Sequence, residues 1–428
     1  MRFVLVICAA ILVASPVFSE LRAGVAAVSI TPLEEGIPTQ LGGYGDRAGK
    51  PAEGIHDTIY AKALVFDHNG AKSALITVDT CSVPLCVVEE SLEKAAIEGL
   101  TVDRTLIAAS HTHAGLEGFA LDRRNIAGSP HIGVFSEDML DFVTSRIARA
   151  LLEAEAAIEP VTAGAGRTQL EGMNRNRRGS ECIDEDMTLL RLDRADSTPY
   201  VVLVNYTAHA TIMSANEMLI SGGWPGVMQR TVEAVLGEGV TCMYTNGAEG
   251  DISPAGARGG SNWERAEDYG RRAGLEAAAL AQRIDTRPVE TFELHSLWVD
   301  LPPRQPAPDF VNIAGAEYHI TAEQLEQLLP VMFPSEAPLY ALRINDFAML
   351  TFPGEPICEV GLVAKNALAG AGIAYPCVAA LTNDYIGYIL TPTEYRRGGY
   401  EVTVSFYGET LGELILTKAR ELAKQTAE

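Results

Sequence analysis

Short apolar runs alternate with helix-like segments along most of the chain, and this alternation is the feature that most limits its fold. The runs at 105–109 and 199–206 have the length of buried strands, whereas 262–284 shows the spacing of an amphipathic helix. Two more runs flank Asn69-Gly70, a pair typical of β-hairpin turns. The sequence therefore predicts an α/β (mixed α+β) fold with a large central sheet, flanking helices and an active site at the strand ends.

The first 19 residues predict a secretory signal peptide. One arginine precedes an apolar run from 4 to 13, and Pro16 and the small Ser19 follow, so the stretch is too short to span a membrane. We expect a secreted or periplasmic protein with a mature chain from 20 to 428 and no transmembrane segment after signal removal. The net charge of −23 argues against a nucleic-acid partner, because phosphate binding needs a basic surface. The sequence does not indicate the oligomeric state.

The segment 302–338 interrupts the alternation of strands and helices. It opens with a proline-rich stretch at 302–308, contains a helical pattern at 322–329 and ends in a second proline-containing stretch. Proline interrupts both helices and sheet ladders. We interpret 302–338 as an insertion or cap on a single catalytic domain that spans 20–428.

Polar side chains recur where the predicted strands end. His111 and His113 follow the run at 105–109, and His209 and Glu355 follow two later runs. Residues two apart on a strand point to the same face, so His111 and His113 are expected to face one cleft. Imidazole and carboxylate ligands suit Zn²⁺ with an open coordination position. The structural alternative makes His209 a hydrogen-bonded core residue and Glu355 a helix-capping carboxylate.

A set of short motifs occurs in a fixed order over most of the mature chain. They are Ala23-Gly24, Ser29-Ile30-Thr31-Pro32, Gly43-Tyr44, Gly54-Ile55-His56, Ser110-His111-Thr112-His113, Asn174-Arg175, Ala208-His209, Gly250-Asp251-Ile252-Ser253-Pro254, Pro353-Gly354-Glu355, Tyr385-Ile386-Gly387-Tyr388, Glu394-Tyr395 and Tyr400-Glu401. Each motif is weak alone, but the ordered set resembles that of the neutral/alkaline non-lysosomal ceramidases. That family hydrolyses the amide of N-acyl sphingosine, and its members are secreted or lie on the cell surface.

The resemblance implies roles for eight residues. The implied zinc ligands are His111, His209, Glu355 and Tyr388, and the implied catalytic residues are His113, Arg175, Ser253 and Tyr400. His113 is expected to transfer protons, and Tyr400 with Arg175 to stabilise an oxyanion. Ser253 either orients the nucleophile or is itself the nucleophile. The structural alternatives are a turn residue for Ser253, packing aromatics for the two tyrosines and a surface position for Arg175.

The chain departs from the family pattern at three places. Ala255 stands where ceramidases tend to have asparagine, and Gly223 stands where an acidic residue is usual. The C-terminal immunoglobulin-like domain of full-length ceramidases is expected to be absent. These departures affect the surroundings of the implied site rather than its metal and proton-transfer groups.

Three hypotheses about function follow. The leading one is a secreted zinc-dependent amidohydrolase that cleaves the N-acyl amide of ceramide-like lipids to a sphingoid base and a fatty acid, with a small-molecule or lipid substrate as its partner. The second keeps the zinc but takes a smaller amide, ester or lactone. The third is a non-catalytic binding protein that retains a metal. The presence of His113, Ser253 and Tyr400 argues against the third, because metal retention requires none of them.

Overall fold

The computed structural model describes residues 20–426, so the signal peptide predicted at residues 1–19 lies outside the described residues. The strands are β1 (Leu21–Ser29), β2 (Gly54–Ile55), β3 (Tyr60–His68), β4 (Ala71–Val78), β5 (Thr105–Ala109), β6 (Glu159–Gln169), β7 (Asn174–Asn176), β8 (Asp186–Arg194), β9 (Pro199–Tyr206), β10 (Leu219–Ile220), β11 (Thr241–Asn246), β12 (Ile252–Pro254), β13 (Phe292–Asp300), β14 (Glu336–Ile344), β15 (Phe347–Thr351), β16 (Glu355–Pro356), β17 (Tyr375–Ala379) and β18 (Tyr388–Ile389). The helices are α1 (Leu85–Ala95), α2 (Glu137–Ala156), α3 (Gly223–Leu236), α4 (Asn262–Ala281), α5 (Ala314–Tyr318), α6 (Ala322–Met332), α7 (Cys358–Gly370), α8 (Pro392–Arg396), α9 (Tyr400–Thr403) and α10 (Leu411–Gln425).

Eight strands form a central mixed sheet in the order β11-β9-β8-β6-β1-β3-β4-β5. The outer pairs, β11–β9 and β4–β5, are parallel, and the pairs between them are antiparallel. Asn69 and Gly70, between β3 and β4, have φ angles of 57° and 79°, the positive values that a two-residue hairpin turn needs. The predicted large central sheet and the predicted hairpin are therefore confirmed.

The pleat of each sheet separates two hydrophobic cores. In β3, Ala63 and Val65 pack with α1 and α2, whereas Leu64 and Phe66 pack against a second sheet of order β13-β14-β15-β17. The far side of the second sheet packs with α7 and α10. The molecule therefore stacks helices, the central sheet, the second sheet and helices again, which leaves the strand ends free to carry the site.

Serine side chains cap the starts of the two longest helices, α2 and α4. The Ser136 hydroxyl accepts a hydrogen bond from the Met139 amide at the start of α2, and Ser261 forms a capping box with Glu264 at the start of α4. Helices α3 and α4 pack together around the buried Trp224. Among the helices of residues 20–426, none combines the length and the apolar character that crossing a membrane requires.

The segment predicted as an insertion or cap packs over one end of the second sheet. It contains α5 and α6, and its buried side chains Phe310, Leu325 and Phe333 join the core beneath α7 and α10. Its last three residues, 336–338, belong to β14, so the segment ends before Glu336 rather than at residue 338. Its status as an insertion stays a prediction.

A buried ion pair fastens the second sheet's helices to the loops around the site. The Lys365 ammonium in α7 lies 2.9 Å from Asp184 and 3.0 Å from Asp186, and Lys365 is 6% exposed. We expect Lys365→Met to cost about 3–5 kcal/mol of unfolding free energy, because it leaves the buried Asp184 carboxylate without a counterion, whereas Asp186 keeps Arg167. Urea denaturation measures this cost. Lys418→Met, which removes a more exposed pair with Glu421, should cost at most about 1 kcal/mol; equal costs would contradict the assignment.

Candidate metal centre

Three chain segments bring polar side chains to one point beyond the strand ends. His111 follows β5, His209 follows β9, and Glu355 begins β16. His111 has a φ angle of 62°, so the backbone turns sharply after β5 and does not continue as a strand. The expectation that strand alternation orients His111 and His113 is therefore wrong in its cause, although both imidazoles do face one cavity.

The hydrogen bonds of His111 and His209 fix where their protons lie. The Nδ1 atom of His111 is 2.6 Å from the Cys81 carbonyl oxygen, and that of His209 is 2.9 Å from the Glu249 carbonyl oxygen. A carbonyl oxygen only accepts, so each Nδ1 carries a proton, and the neutral tautomer of each ring then has an unprotonated Nε2. These two Nε2 atoms are 2.9 Å apart. In this form neither Nε2 atom can donate a hydrogen bond to the other, so the two nitrogens are arranged to bind one cation between them.

Glu355 completes this cluster. Its Oε1 accepts a hydrogen bond of 2.9 Å from the Tyr385 hydroxyl, whereas its buried Oε2 has no hydrogen-bond partner. Oε2 lies 3.6 Å from His111 Nε2 and 3.4 Å from His209 Nε2. A buried carboxylate oxygen without a partner is costly unless a cation or proton neutralises it. The carboxylate faces the imidazoles and does not cap the helix that follows.

The donor atoms of His111, His209 and Glu355 all lie within 4.8 Å of one another, which fits a divalent metal ion. Cys81, His111 and His113 form a second group of equally close donors. Burial and, to a smaller extent, the nearby Glu117 carboxylate raise the pKa of the Cys81 thiol well above its ordinary value. Because the thiolate is the form that ligates metals, this second group is the poorer site.

His113 lies beside the metal group without belonging to it. Its Nε2 is 3.2 Å from His111 Nε2, and its buried Nδ1 has no hydrogen-bond partner. Burial and, to a smaller extent, the neighbouring His111 lower the pKa of His113 well below its ordinary value. Gly43 makes room for the ring, since a Cβ atom there would lie 2.1 Å from Nδ1. The Arg47 guanidinium holds the His113 backbone by a hydrogen bond of 2.6 Å to its carbonyl oxygen.

Tyr388 lies directly opposite Glu355 in the short parallel pair of β16 and β18. Its hydroxyl accepts a hydrogen bond of 2.9 Å from the guanidinium of Arg177, which also packs 5.7 Å from the Tyr388 ring centre. Burial and, to a smaller extent, the negative charge of Glu355 raise the pKa of Tyr388 well above its ordinary value. Tyr388 is thus placed beside the metal group and held by an arginine.

The structure does not bring Arg175 to this group, and Arg177 is there instead. In β7 the side chains of Asn174 and Asn176 are buried, so the alternation of the strand turns Arg175 outward, where it is exposed. The chain then leaves β7, and Arg177 pairs with Glu401 at 2.8 Å and with Tyr388. The structure thus places Arg177, and not Arg175, beside Tyr388, and the catalytic role expected of Arg175 stays a prediction.

Ser253 lies at the edge of the site. It is half-buried in β12, directly opposite Arg175 on β7. The preceding carbonyl, that of Ile252, accepts a hydrogen bond of 2.9 Å from the His209 amide. Among residues 20–426, those that line the cavity described next do not include Ser253 or Arg175. The backbone thus couples Ser253 to a metal-group histidine, while its role stays a prediction.

An apolar cavity of about 120 Å³ opens above the metal group. Tyr400 lines it, and its hydroxyl is 2.7 Å from that of Tyr318 in α5. Burial raises the pKa of Tyr400, so its hydroxyl keeps its proton at neutral pH. The segment between β13 and β14 supplies one wall of the cavity through Phe310, Tyr318, Ile320, Leu325, Leu328, Met332 and Phe333. The cavity therefore has an apolar wall and a polar floor.

The two local departures noted in the sequence have structural settings. Gly223 has a φ angle of 59°, a left-handed conformation that an acidic residue would adopt only at a cost, and it opens α3 beside Thr112. Ala255 donates its amide to the Met173 carbonyl oxygen at 2.8 Å. Neither contacts the metal group directly.

Four residues at the site escape sequence reasoning: Arg47, Glu117, Arg177 and Tyr385. Arg177 belongs to a cluster of arginines in an acidic chain, which was a usable signal. Tyr385 begins a recognised motif and Glu117 lies four residues after another, but neither carries a pattern that assigns it a role in the site. Burial of their polar groups distinguishes them only after folding.

Comparison with known proteins shows what the chain is similar to. Residues 22–264, more than half of the chain, match the model described as neutral/alkaline non-lysosomal ceramidase, N-terminal. Neutral ceramidase of Mycobacterium tuberculosis is 24% identical over 89% of this chain and 74% of its own length. Neutral ceramidase B of Dictyostelium discoideum is 26% identical over 47% of this chain, and the match spans only 31% of that relative.

A solved structure gives the same result for the fold. The crystal structure of neutral ceramidase from Pseudomonas aeruginosa superposes with a TM-score of 0.78 at 22% sequence identity, covering 96% of this chain and 75% of that one. At this identity the likeness establishes the fold. Together with the match over residues 22–264, it shows that the chain belongs to the neutral/alkaline non-lysosomal ceramidase family.

Proposed function

We propose that this protein is a zinc-dependent amidohydrolase that cleaves the N-acyl amide of ceramide-like lipids. The observation that carries the proposal is the buried cluster of His111, His209 and Glu355 at the floor of an apolar cavity, with His113 beside it. Tyr388 is the fourth proposed ligand. Imidazole and carboxylate donors are the set that catalytic zinc sites use. Membership of the ceramidase family supports the amide of a ceramide as the bond cleaved.

The residues of the chain divide the chemistry between them. When bound, zinc supplies Lewis acidity, which polarises a carbonyl oxygen and makes water acidic enough to ionise near neutral pH. His113 takes a proton from the attacking water and later gives it to the leaving nitrogen. The protonated hydroxyl of Tyr400 donates to the developing oxyanion. Ser253 either orients the nucleophile or is the nucleophile, and the apolar wall holds the acyl chain away from water.

Arg177 holds Tyr388 in place, and this role yields a matched pair of variants. Arg177→Ala should lower kcat/KM about 10- to 100-fold, because a hydrogen bond from a charged group contributes about 1.5–3 kcal/mol. Arg175→Ala removes an exposed arginine two residues away and should change kcat/KM less than about threefold. Steady-state hydrolysis of an N-acyl sphingosine measures both. A larger loss for Arg175→Ala would return the role to that residue.

The size of the cavity favours a second candidate substrate class. Its volume of about 120 Å³ is below the roughly 300–1,000 Å³ of most ligand pockets. A smaller amide or ester, or a ceramide with a short acyl chain, fits such a space more completely. Comparing kcat/KM for acetyl, hexanoyl and palmitoyl amides of the same amine decides between the classes.

The proposed function has a direct test. The purified protein should hydrolyse a short-chain fluorogenic N-acyl sphingosine, lose that activity with 1,10-phenanthroline and regain it with added Zn²⁺. Undiminished turnover in the chelator would contradict the zinc proposal. No turnover of any amide or ester by protein with bound zinc would favour a binding protein.

We also propose that the protein is exported, on the basis of the residue pattern at positions 1–19. N-terminal sequencing of the mature protein should begin near Glu20. An intact Met1 in a cytoplasmic fraction would contradict export.

A further inference from the structure

Glu117 places a carboxylate in the wall of the apolar cavity, close to the proposed reaction centre. It follows His113 by four residues and lines the same cavity as His111 and His113. The Gly43 amide donates to its Oε2 at 3.2 Å, and the Phe119 amide donates to its Oε1 at 3.1 Å. Both carboxylate oxygens are therefore held by backbone, and the side chain is fixed in position.

This carboxylate has no cationic partner among residues 20–426. The nearby Arg47 guanidinium favours the charged form of Glu117, but its hydrogen bonds go to the backbone carbonyl oxygens of Gly42, His113, Ser214 and Glu217. A carboxylate has about four acceptor positions, and backbone amides fill two of those on Glu117. The remaining positions are available to a molecule in the cavity.

Helix capping alone does not account for Glu117. Its bond to Phe119 caps the short turn Gly118–Leu121, a role that a serine, asparagine or aspartate fills on the surface of most proteins. Placing a carboxylate in an apolar cavity carries a desolvation cost that a surface cap does not. A bound group that donates hydrogen bonds offsets this cost, and the proposed mechanism otherwise leaves the two remaining acceptor positions of Glu117 unfilled.

We propose that Glu117 is a specificity-determining residue that accepts hydrogen bonds from hydroxyl groups on the amine half of the substrate. This inference rests on the proposed hydrolase function. The apolar wall formed by Phe310, Leu325 and Phe333 suits the acyl chain, which donates no hydrogen bonds. The carboxylate suits the other half of the molecule. The enzyme therefore selects N-acyl amino alcohols over N-acyl alkylamines, because an alkylamine excludes water from the remaining acceptor positions of the carboxylate without filling them.

The test uses two fluorogenic amides with the same acyl chain, one of a long-chain amino diol and one of a plain alkylamine. The assay is run at pH 8, because burial raises the pKa of Glu117 to about 7. The wild-type protein should prefer the diol by about 100-fold in kcat/KM, and Glu117→Gln should reduce this preference at least about tenfold, mainly through KM for the diol. Glutamine keeps the shape and one capping acceptor, so the variant is expected to fold.

The control is Phe333→Leu, which trims the apolar wall. It should lower kcat/KM for both amides by the same factor and leave their ratio intact. An unchanged ratio in Glu117→Gln overturns the inference while the hydrolase function stands. If the wild-type protein cleaves neither amide, the proposed function fails, and calorimetric binding of the free amino diol then decides the role of Glu117. At least about tenfold weaker binding to Glu117→Gln supports the role, and equal binding overturns it.

Discussion

His209→Ala is expected to abolish stoichiometric metal binding and to lower amide hydrolysis at least about 1,000-fold. The imidazole supplies one of the three donors that lie within 4.8 Å of one another, and its loss leaves His111, Glu355 and the proposed ligand Tyr388, a set with a single imidazole. Lewis-acid catalysis contributes several kcal/mol, and each 1.4 kcal/mol or so is a factor of ten in rate. Elemental analysis and steady-state kinetics on the same preparation measure the two losses.

A matched histidine variant controls for general effects of the substitution. His295 lies on β13 of the second sheet, away from the metal group, so His295→Ala should keep both metal and activity. Circular dichroism should show that both variants are folded. Full metal content in His209→Ala would remove His209 from the ligand set.

His113→Ala is expected to keep the metal and lose activity about 100- to 10,000-fold, the contribution of a positioned general acid–base. His113 lies 3.2 Å from His111 and packs edge-on against the His209 ring, but its side chain is not one of the three donors grouped around the Glu355 carboxylate. The comparison with His111→Ala is the informative one. Both variants should be inactive, but only His111→Ala should lose its metal.

The pattern of metal retention therefore separates ligand from proton carrier. Equal metal content in His111→Ala and His113→Ala would contradict this division of roles. A pH profile adds a second readout, because removal of the proton-transfer group should flatten the acid limb of kcat while metal content stays constant.

The metal group could be predicted because its residues follow apolar runs that are easily recognised. His111 and His209 follow two strands of the central sheet, Glu355 follows β15 of the second sheet, and ligand sites collect beyond strand ends. Convergence itself was not predictable from spacing. His111 and His209 are 98 positions apart, four strands of two sheets lie between them, and the resemblance to the ceramidases supplied the link.

The sequence alone could not identify which arginine lies at the site, because three arginines occur within four consecutive residues. Arg175, Arg177 and Arg178 have the same chemistry, and only the pairing of β7 with β12 decides which of them turns inward. That pairing joins Ser253 to Arg175 across 78 residues of sequence. A local pattern carries no information on such a partner.

The sequence patterns also assign no strand to β8. Its apolar residues lie between charged ones, which lowers the pattern's resemblance to a buried strand. Burial of Arg191 depends on Asp193 at 2.7 Å and on the Ala281 carbonyl oxygen at the end of α4, at 2.8 Å. Tertiary partners of this kind override local propensity.

X-ray absorption at the zinc edge of the purified wild-type protein tests the metal centre most directly. The account predicts about one zinc per chain with two imidazole nitrogens, oxygen ligands and no sulfur within bonding distance. A sulfur neighbour at about 2.3 Å would place the ion at Cys81 with His111 and His113 instead. That result, or the lack of stoichiometric zinc, would contradict the assignment of His111, His209 and Glu355.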